Sequence, residues 1–269
     1  MIITDTFPNE IGEHMNIMRD TINILGVNID RITAKSAAER AVEMVKSDGT
    51  KVIYTPNPEI VMAAYEDSAF AEVLNRADMC VPDGIGVVYG AKIQGTPLPE
   101  RVAGFDLSCT LMLEMAKFGG SVFLFGSKPG VAETAAERLA AKYDGLKIAG
   151  TCDGYFSDND VPEIIEKINA SGADLLLVCL GAPKQEKWID AHRDELNVKL
   201  CIGAGGSLDV IAGTVKRAPD IFIKLNLEWF YRLCKQPSRI GRFAALPKFI
   251  IKVNKEKKNI EKREYSYGI

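Results

Sequence analysis

Between Ser121 and Ser207 one unit recurs: a short apolar strand, a glycine-bearing turn and a helical stretch. Ser121 to Phe125 is followed by Gly126-Ser127-Lys128-Pro129-Gly130 and a helix over 131–142, and Leu146 to Ala149 by Gly154-Tyr155-Phe156 and a helix over 161–170. Asp174 to Leu180 is a nearly unbroken apolar run, as expected of a strand covered on both faces. Gly181-Ala182-Pro183-Lys184-Gln185-Glu186 leads from it into a helix through Trp188, and Lys199 to Ile202 precedes Gly203-Ala204-Gly205-Gly206-Ser207. Strands that alternate with helices pair in parallel. The expected fold is therefore α/β, a Rossmann-like doubly wound, mainly parallel sheet.

The first part of the chain fits the same scheme. Asn23 to Ile29 alternates like a short strand, and Ser36-Ala37-Ala38-Glu39 reads as a capping box opening a helix that stops near Asp48-Gly49. Lys51 to Thr55 and Met79 to Val81 are strand candidates, a helix is expected from about Pro58, and Asp106 to Lys117 has an amphipathic pattern. Residues 1–22 show no period and are expected to form an N-terminal arm. Residues 23–215 are expected to be the catalytic domain, with a boundary near 213–219 and a basic helical appendage over 216–269.

Charge sets that appendage apart. Residues 216–269 hold 14 Lys and Arg against 5 Asp and Glu, a net of +9, beside −12 for residues 1–215. An acidic body with a basic tail points to an anionic partner for the tail. Trp229, Phe230, Tyr231 and Phe243 lie among Arg232, Arg239 and Arg242 around the break at Gln236-Pro237-Ser238, a mixture that favours a membrane interface over a merely solvated helix. No helix-turn-helix or RNA-recognition signature accompanies the charge, so nucleic acid is not the expected partner. No uncharged stretch approaches the ~20 residues that span a bilayer, and no secretory signal is apparent at the N-terminus. The six cysteines form no C-x-x-C pair; Cys80, Cys179 and Cys201 read as small buried hydrophobes in a reducing compartment. With His14 and His192 far apart, a histidine metal site is not expected.

Two polar breaks follow apolar strands, Thr55-Pro56-Asn57-Pro58-Glu59 and Pro82-Asp83-Gly84-Ile85-Gly86. Ligands in open parallel sheets sit outside the carboxyl ends of the strands, which is where these residues are aimed. Asp83 there could accept a proton from a hydroxyl nucleophile; Asp before Gly is also common in ordinary turns. Thr55 and Asn57 suit sugar hydroxyls or an acetamido group, or else strand-end and helix-cap duty. Arg101, in a proline-stiffened loop, could clamp a diphosphate or make a surface ion pair. Gln185 could bond a sugar or phosphate, or stand exposed at a helix start. Tyr155 could stack on a base or pack in the core, and Asp209 could accept from ribose or cap a helix. The turns at Gly126 and Ser127, Gly181, and Gly205 and Gly206 could present backbone N–H groups to an anion, or simply permit tight bends. None matches G-x-x-x-x-G-K-[ST], and Gly203 to Ser207 falls short of G-x-G-x-x-G, which argues against a P-loop ATPase and an NAD-dependent oxidoreductase.

Taken in order, Thr55-Pro-Asn-Pro-Glu59, Pro82-Asp-Gly-Ile-Gly86, Arg101-Val-Ala-Gly-Phe-Asp106, Phe125-Gly-Ser127, Gly181-Ala-Pro-Lys-Gln-Glu186 and Gly203-Ala-Gly-Gly206 resemble the WecG/TagA/CpsF family of bacterial glycosyltransferases. The resemblance runs from about residue 23 into the tail and is closest to the branch that makes the linkage unit of wall teichoic acid. It implies transfer of N-acetylmannosamine from a UDP donor to undecaprenyl-diphosphate-linked N-acetylglucosamine, with inversion to a β-1,4 link and no cofactor. By position it implies Asp83 as general base; Thr55 and Asn57 as acceptor or donor sugar contacts, with Arg101 and Gln185 lining the same pocket; Tyr155, Asp209 and the glycine turns around UDP; and Arg232, Arg239 and Arg242 at the lipid diphosphate. The expected location is cytoplasmic, peripheral to the inner face of the cell membrane, and a homo-oligomer is compatible with such a chain. Two alternatives stay open at this point: a relative using UDP-N-acetylmannosaminuronate or UDP-glucose, and a non-catalytic membrane- or nucleic-acid-binding module.

Overall fold

A computed structural model of the protein describes residues 19–235 and 245–267. At its start Thr21–Ile24 (β1) and Val27–Asp30 (β2) pair antiparallel. The alternating stretch expected as one strand is thus a hairpin, because Leu25 and Gly26 both take positive φ and turn the chain in two residues. Thr21 and Ile22 belong to this hairpin and not to a loose arm. Asp30 is buried and anchors it: its carboxylate accepts from the Cys80 N–H at 2.7 Å and pairs with Arg19 and Arg40.

Six parallel strands follow: β3 (Lys51–Tyr54), β4 (Met79–Cys80), β5 (Ser121–Gly126), β6 (Lys147–Cys152), β7 (Leu175–Cys179) and β8 (Leu200–Gly203). Their order across the sheet is β4-β3-β8-β7-β5-β6. From β5 the chain moves outward to β6, whereas from β7 it moves the opposite way to β8. Diverging connections of this kind open a crevice above the carboxyl ends of the strands.

Helices cover both faces. Along the strands successive apolar residues enter opposite layers. Ile53, Leu124, Leu177 and Ile202 pack with α1 (Ala34–Lys46), α5 (Gly104–Ala116), α6 (Val131–Lys142) and α9 (Ser207–Ile211). Tyr54, Phe125, Val178 and Cys201 pack with α2 (Pro58–Glu66), α3 (Ser68–Asn75), α4 (Ile85–Gln94), α7 (Val161–Ala170) and α8 (Lys184–His192). The doubly wound sheet is as the repeat predicts. Cys80, Cys179 and Cys201 are buried thiols, pushed up to about 12 by desolvation. α1 begins before the expected capping box: Thr33 is the cap, its hydroxyl accepting from the Ser36 N–H at 3.2 Å. α3 and α4 have no counterpart in the sequence reading.

Beyond an irregular segment at 212–219 come α10 (Asp220–Lys224), α11 (Glu228–Lys235) and the long α12 (Ala245–Tyr267). α12 packs on α2 and α4, with Phe249 and Val253 fully buried in the core. Ala245 and Ile250 pack against the same core, whereas Ile251 is exposed. Gly86 and Gly90, one turn apart on α4, make room for α12: a methyl group at Gly86 would stand 2.6 Å from Leu246, and one at Gly90 2.7 Å from the Phe249 ring. Phe249→Ala is expected to cost about 3–5 kcal/mol in urea-induced unfolding. An unchanged midpoint would mean that α12 does not rest on this core.

Candidate active site

The carboxyl ends of β3, β4, β5, β7 and β8 border one open cleft of about 520 Å³. Seven sequence segments supply its walls: the breaks after β3 and β4, the Arg101–Phe105 segment, the turns after β5, β7 and β8, and the start of the appendage.

On one side stand Thr55, Asn57, Asp83 and Arg101. The Asp83 backbone N–H donates to the Pro56 carbonyl at 3.1 Å, which ties the two polar breaks together. Its carboxylate accepts from the Gly104 N–H at 3.3 Å and lies 3.5 Å from Arg101 Nη2, with 28% of the side chain exposed toward the cleft. Gly104 can serve as that donor because it has no side chain; a Cβ there would meet Thr55 at 2.8 Å. Thr55 donates its hydroxyl to the Gly203 carbonyl at 3.1 Å and is buried. Asn57 caps α2, accepting from the Ile60 N–H at 3.0 Å. Both residues hold local backbone at the strand end and helix cap, and both border the cleft.

Across the sheet, Gln185 is buried at the start of α8 and does not stand exposed there. Its Oε1 accepts from the Gly205 N–H at 3.0 Å and its Nε2 donates to Glu186 Oε1 at 2.8 Å, so it shapes the turn after β8. Gly181, Gly205 and Gly206 line the cleft with open space where a Cβ would sit, leaving backbone within reach of a ligand. Ser127 has φ 61°, a conformation uncommon outside glycine, and its hydroxyl donates to Asp209 Oδ2 at 2.9 Å. Both residues face the cleft.

Two expected nucleotide contacts lie elsewhere. Tyr155 is 68% exposed and outside the cleft walls, in a turn where its N–H donates to Asp153. That loop does rest on the Ser127 turn, through the Gly154 N–H donating to the Ser127 carbonyl at 2.9 Å. Gly126 is not a wall residue either; it is needed for packing, since a Cβ would come within 2.4 Å of the Cys179 carbonyl group. Arg232 lies on α11, beside the cleft's Glu228 and Trp229 in sequence, while Arg239 and Arg242 fall outside the described residues. Among the described residues no group of three or more His, Cys, Asp or Glu is placed to hold a metal ion.

The sequence reading missed what the appendage contributes: Arg217, Asn226, Glu228, Trp229 and Leu246 all border the cleft. Glu228 is buried, with Oε2 2.6 Å from Arg101 Nη2 and Oε1 3.8 Å from Arg217 Nε. Arg217 in turn pairs with Asp106 at 2.7 Å and lies over the Phe105 ring. A signal was present: Glu228 is one of five acids in a strongly basic tail.

Glu186 was also passed over. It is buried, its Oε2 has no hydrogen-bond partner among the described residues, and desolvation pushes its carboxyl up to about 7. The folded chain keeps this proton between about 4.5 and 7 whereas the unfolded chain does not, so the contribution to stability is full at the acid end and is lost as pH rises through about 7. Glu186→Gln retains an acceptor for Gln185 and cannot ionise. Its urea midpoint should fall less than that of the parent chain between pH 4.5 and 7; parallel curves would show that Glu186 does not titrate in that window.

The profile of the Glycosyl transferase WecG/TagA/CpsF family matches residues 22–263. A Bacillus subtilis protein named N-acetylglucosaminyldiphosphoundecaprenol N-acetyl-beta-D-mannosaminyltransferase is 40% identical over 208 residues, covering 77% of this chain and 80% of its own length. A Staphylococcus aureus protein of the same name is 36% identical over 243 residues, or 90% and 95% of the two chains. The match takes in the sheet, both polar breaks, the glycine turns and most of the appendage, and the chain belongs to the WecG/TagA/CpsF family of glycosyltransferases.

Proposed function

We propose that this protein transfers N-acetylmannosamine from UDP to N-acetylglucosamine carried on undecaprenyl diphosphate, forming the β-1,4 link of a teichoic acid linkage unit. One observation carries the reading: in a chain of this family, the Asp83 carboxylate stands partly exposed in a cleft at the carboxyl edge of a parallel sheet. Asp83 takes the proton of the acceptor 4-hydroxyl as that oxygen attacks the anomeric carbon of the donor. The bond from that carbon to the β-phosphate oxygen breaks, UDP departs with the electron pair, and the configuration inverts. The Gly104 N–H and Arg101 fix the carboxylate for this step. Thr55 and Asn57 border the sugar, Ser127 and Asp209 suit ribose hydroxyls, and the bare backbone at Gly181, Gly205 and Gly206 suits the diphosphate.

The charges lining the cleft favour a neutral donor sugar. Among its described residues the cations are Arg101 and Arg217, each already paired with carboxylates, and Glu59, Asp83, Asp209 and Glu228 share the walls. A uronate would meet an acidic pocket, so the acetamido sugar fits better than N-acetylmannosaminuronate.

The appendage would work at the inner face of the cytoplasmic membrane, where a lipid-linked acceptor resides, with Arg232, Arg239 and Arg242 meeting the lipid diphosphate. No helix among the described residues is long and apolar enough to cross a membrane. Support for peripheral docking comes from Ile221, Leu225 and Phe230, which are exposed, and from Lys248, Lys255, Lys258 and Lys262, exposed along α12. Basic residues near an anionic leaflet contribute about 1 kcal/mol each.

Two measurements test these assignments. Offered a panel of UDP-sugars with a lipid-diphosphate N-acetylglucosamine acceptor, the protein should form product with UDP-N-acetylmannosamine, identified by mass, and Asp83→Asn should lower turnover by about 10²–10⁴-fold. Turnover unchanged in that variant would remove Asp83 from the role. In flotation assays the whole chain should bind vesicles rich in anionic lipid, and Lys255→Glu with Lys258→Glu should weaken binding severalfold; equal binding to neutral vesicles would refute electrostatic docking.

A further inference from the structure

Five side chains of alternating charge run from the floor of the cleft into the appendage. Asp83 lies 3.5 Å from Arg101, Arg101 2.6 Å from Glu228, Glu228 3.8 Å from Arg217, and Arg217 2.7 Å from Asp106. The central member is Glu228, in the first turn of α11 and the one carboxylate that residues beyond 216 contribute to the described cleft walls. One nitrogen of Arg101, Nη2, serves both Asp83 and Glu228, and the shorter contact goes to Glu228. Arg101 Nε is buried without a partner among the described residues, so that side of the guanidinium gives it no second anchor.

We propose that Glu228 is a positioning residue for the transfer reaction: it holds the Arg101 guanidinium at the edge of the cleft and keeps it from closing on Asp83. The inference rests on Asp83 acting as the base. A guanidinium shared between two carboxylates leaves more of the charge on each uncompensated than one closed on a single partner. Without the Glu228 charge, Arg101 is drawn onto Asp83 as a tight pair, and a carboxylate so paired accepts a proton less readily. Arg217, seated on Asp106 and against Phe105, braces Glu228 from the far side. The docked appendage thereby acts on the chemistry through a side chain that need not touch either sugar.

The test uses the full-length protein with both substrates. Glu228→Gln should lower kcat about tenfold and leave the donor KM within about twofold, since the loss is in the chemical step and not in donor binding. Glu228→Asp, which restores the charge, should recover part of that loss. Introduced into Arg101→Lys, Glu228→Gln should add little, because the two residues act as a unit. Turnover equal to or above that of the parent chain would overturn the proposal, as would effects that multiply independently in the double variant. A fall in kcat accompanied by a matching rise in KM and a lower Tm would also overturn it, reducing Glu228 to a fastening for the appendage. Asp83→Asn assayed alongside keeps the two ideas separate: if it retains full turnover, the base assignment fails whatever Glu228 does. If it is inactive while Glu228→Gln is unaffected, only the present inference fails.

Discussion

The pairing of β3 with β8 is the constraint on which the rest depends. Across this ladder Lys51, Val52 and Ile53 meet Leu200, Cys201 and Ile202, and it is the seam between β3 and β4 on one side and the remaining four strands on the other. Without it the residues after β3 and those after β7 and β8 would belong to separate layers. With it, the Thr55 hydroxyl reaches the Gly203 carbonyl, and the Gln185 carboxamide stands under the neighbouring turn. Parallel pairing also sends every carboxyl end to one edge. A single cleft can then collect an acid, a hydroxyl, an amide and bare glycine backbone from segments well over a hundred residues apart.

Polarity within that cleft is organised by contact between segments and not by any one of them. The body carries an excess of acid and the appendage an excess of base, yet at their junction the usual signs are exchanged in part. Arg101 comes from the acidic body and Glu228 from the basic tail, and their contact is the shortest of the charged series. Because Glu228 and Arg101 are both largely buried, their attraction is less screened by salt than that of surface pairs. The appendage is thus fixed at two places of different chemistry, charge at the cleft and apolar packing of Phe249 and Val253 on α4.

Much of this was legible in the chain because the governing signals are local. The strand–turn–helix repeat gave the sheet, and the two polar breaks gave Asp83, Thr55 and Asn57 at its working edge. Other features depend on partners remote in sequence and left no local trace. That Gln185 is buried follows from Gly203 and Gly205 lying over it, which only the β7–β8 ladder decides. α4 escaped notice because its buried positions include Gly86 and Gly90, small residues that carry no amphipathic signature. The hairpin was read as one strand because Leu25, an unusual residue for positive φ, hid the turn. Glu228 carried only a faint signal, as a single acid in a basic helix, which looks like surface until its partner from residue 101 is in place.

The notch that receives α12 has one more implication. Gly86 and Gly90 form it by lacking side chains, while Leu246, Phe249 and Val253 fill it from the helix. The hydrophobic load of this junction is therefore carried unequally. Were the two to separate, the scaffold would uncover a shallow, largely main-chain furrow, and the greasy ridge would leave with the lysine-bearing rod. Any need for new shelter from water would fall mainly on the departing piece, not on the enzyme it had left.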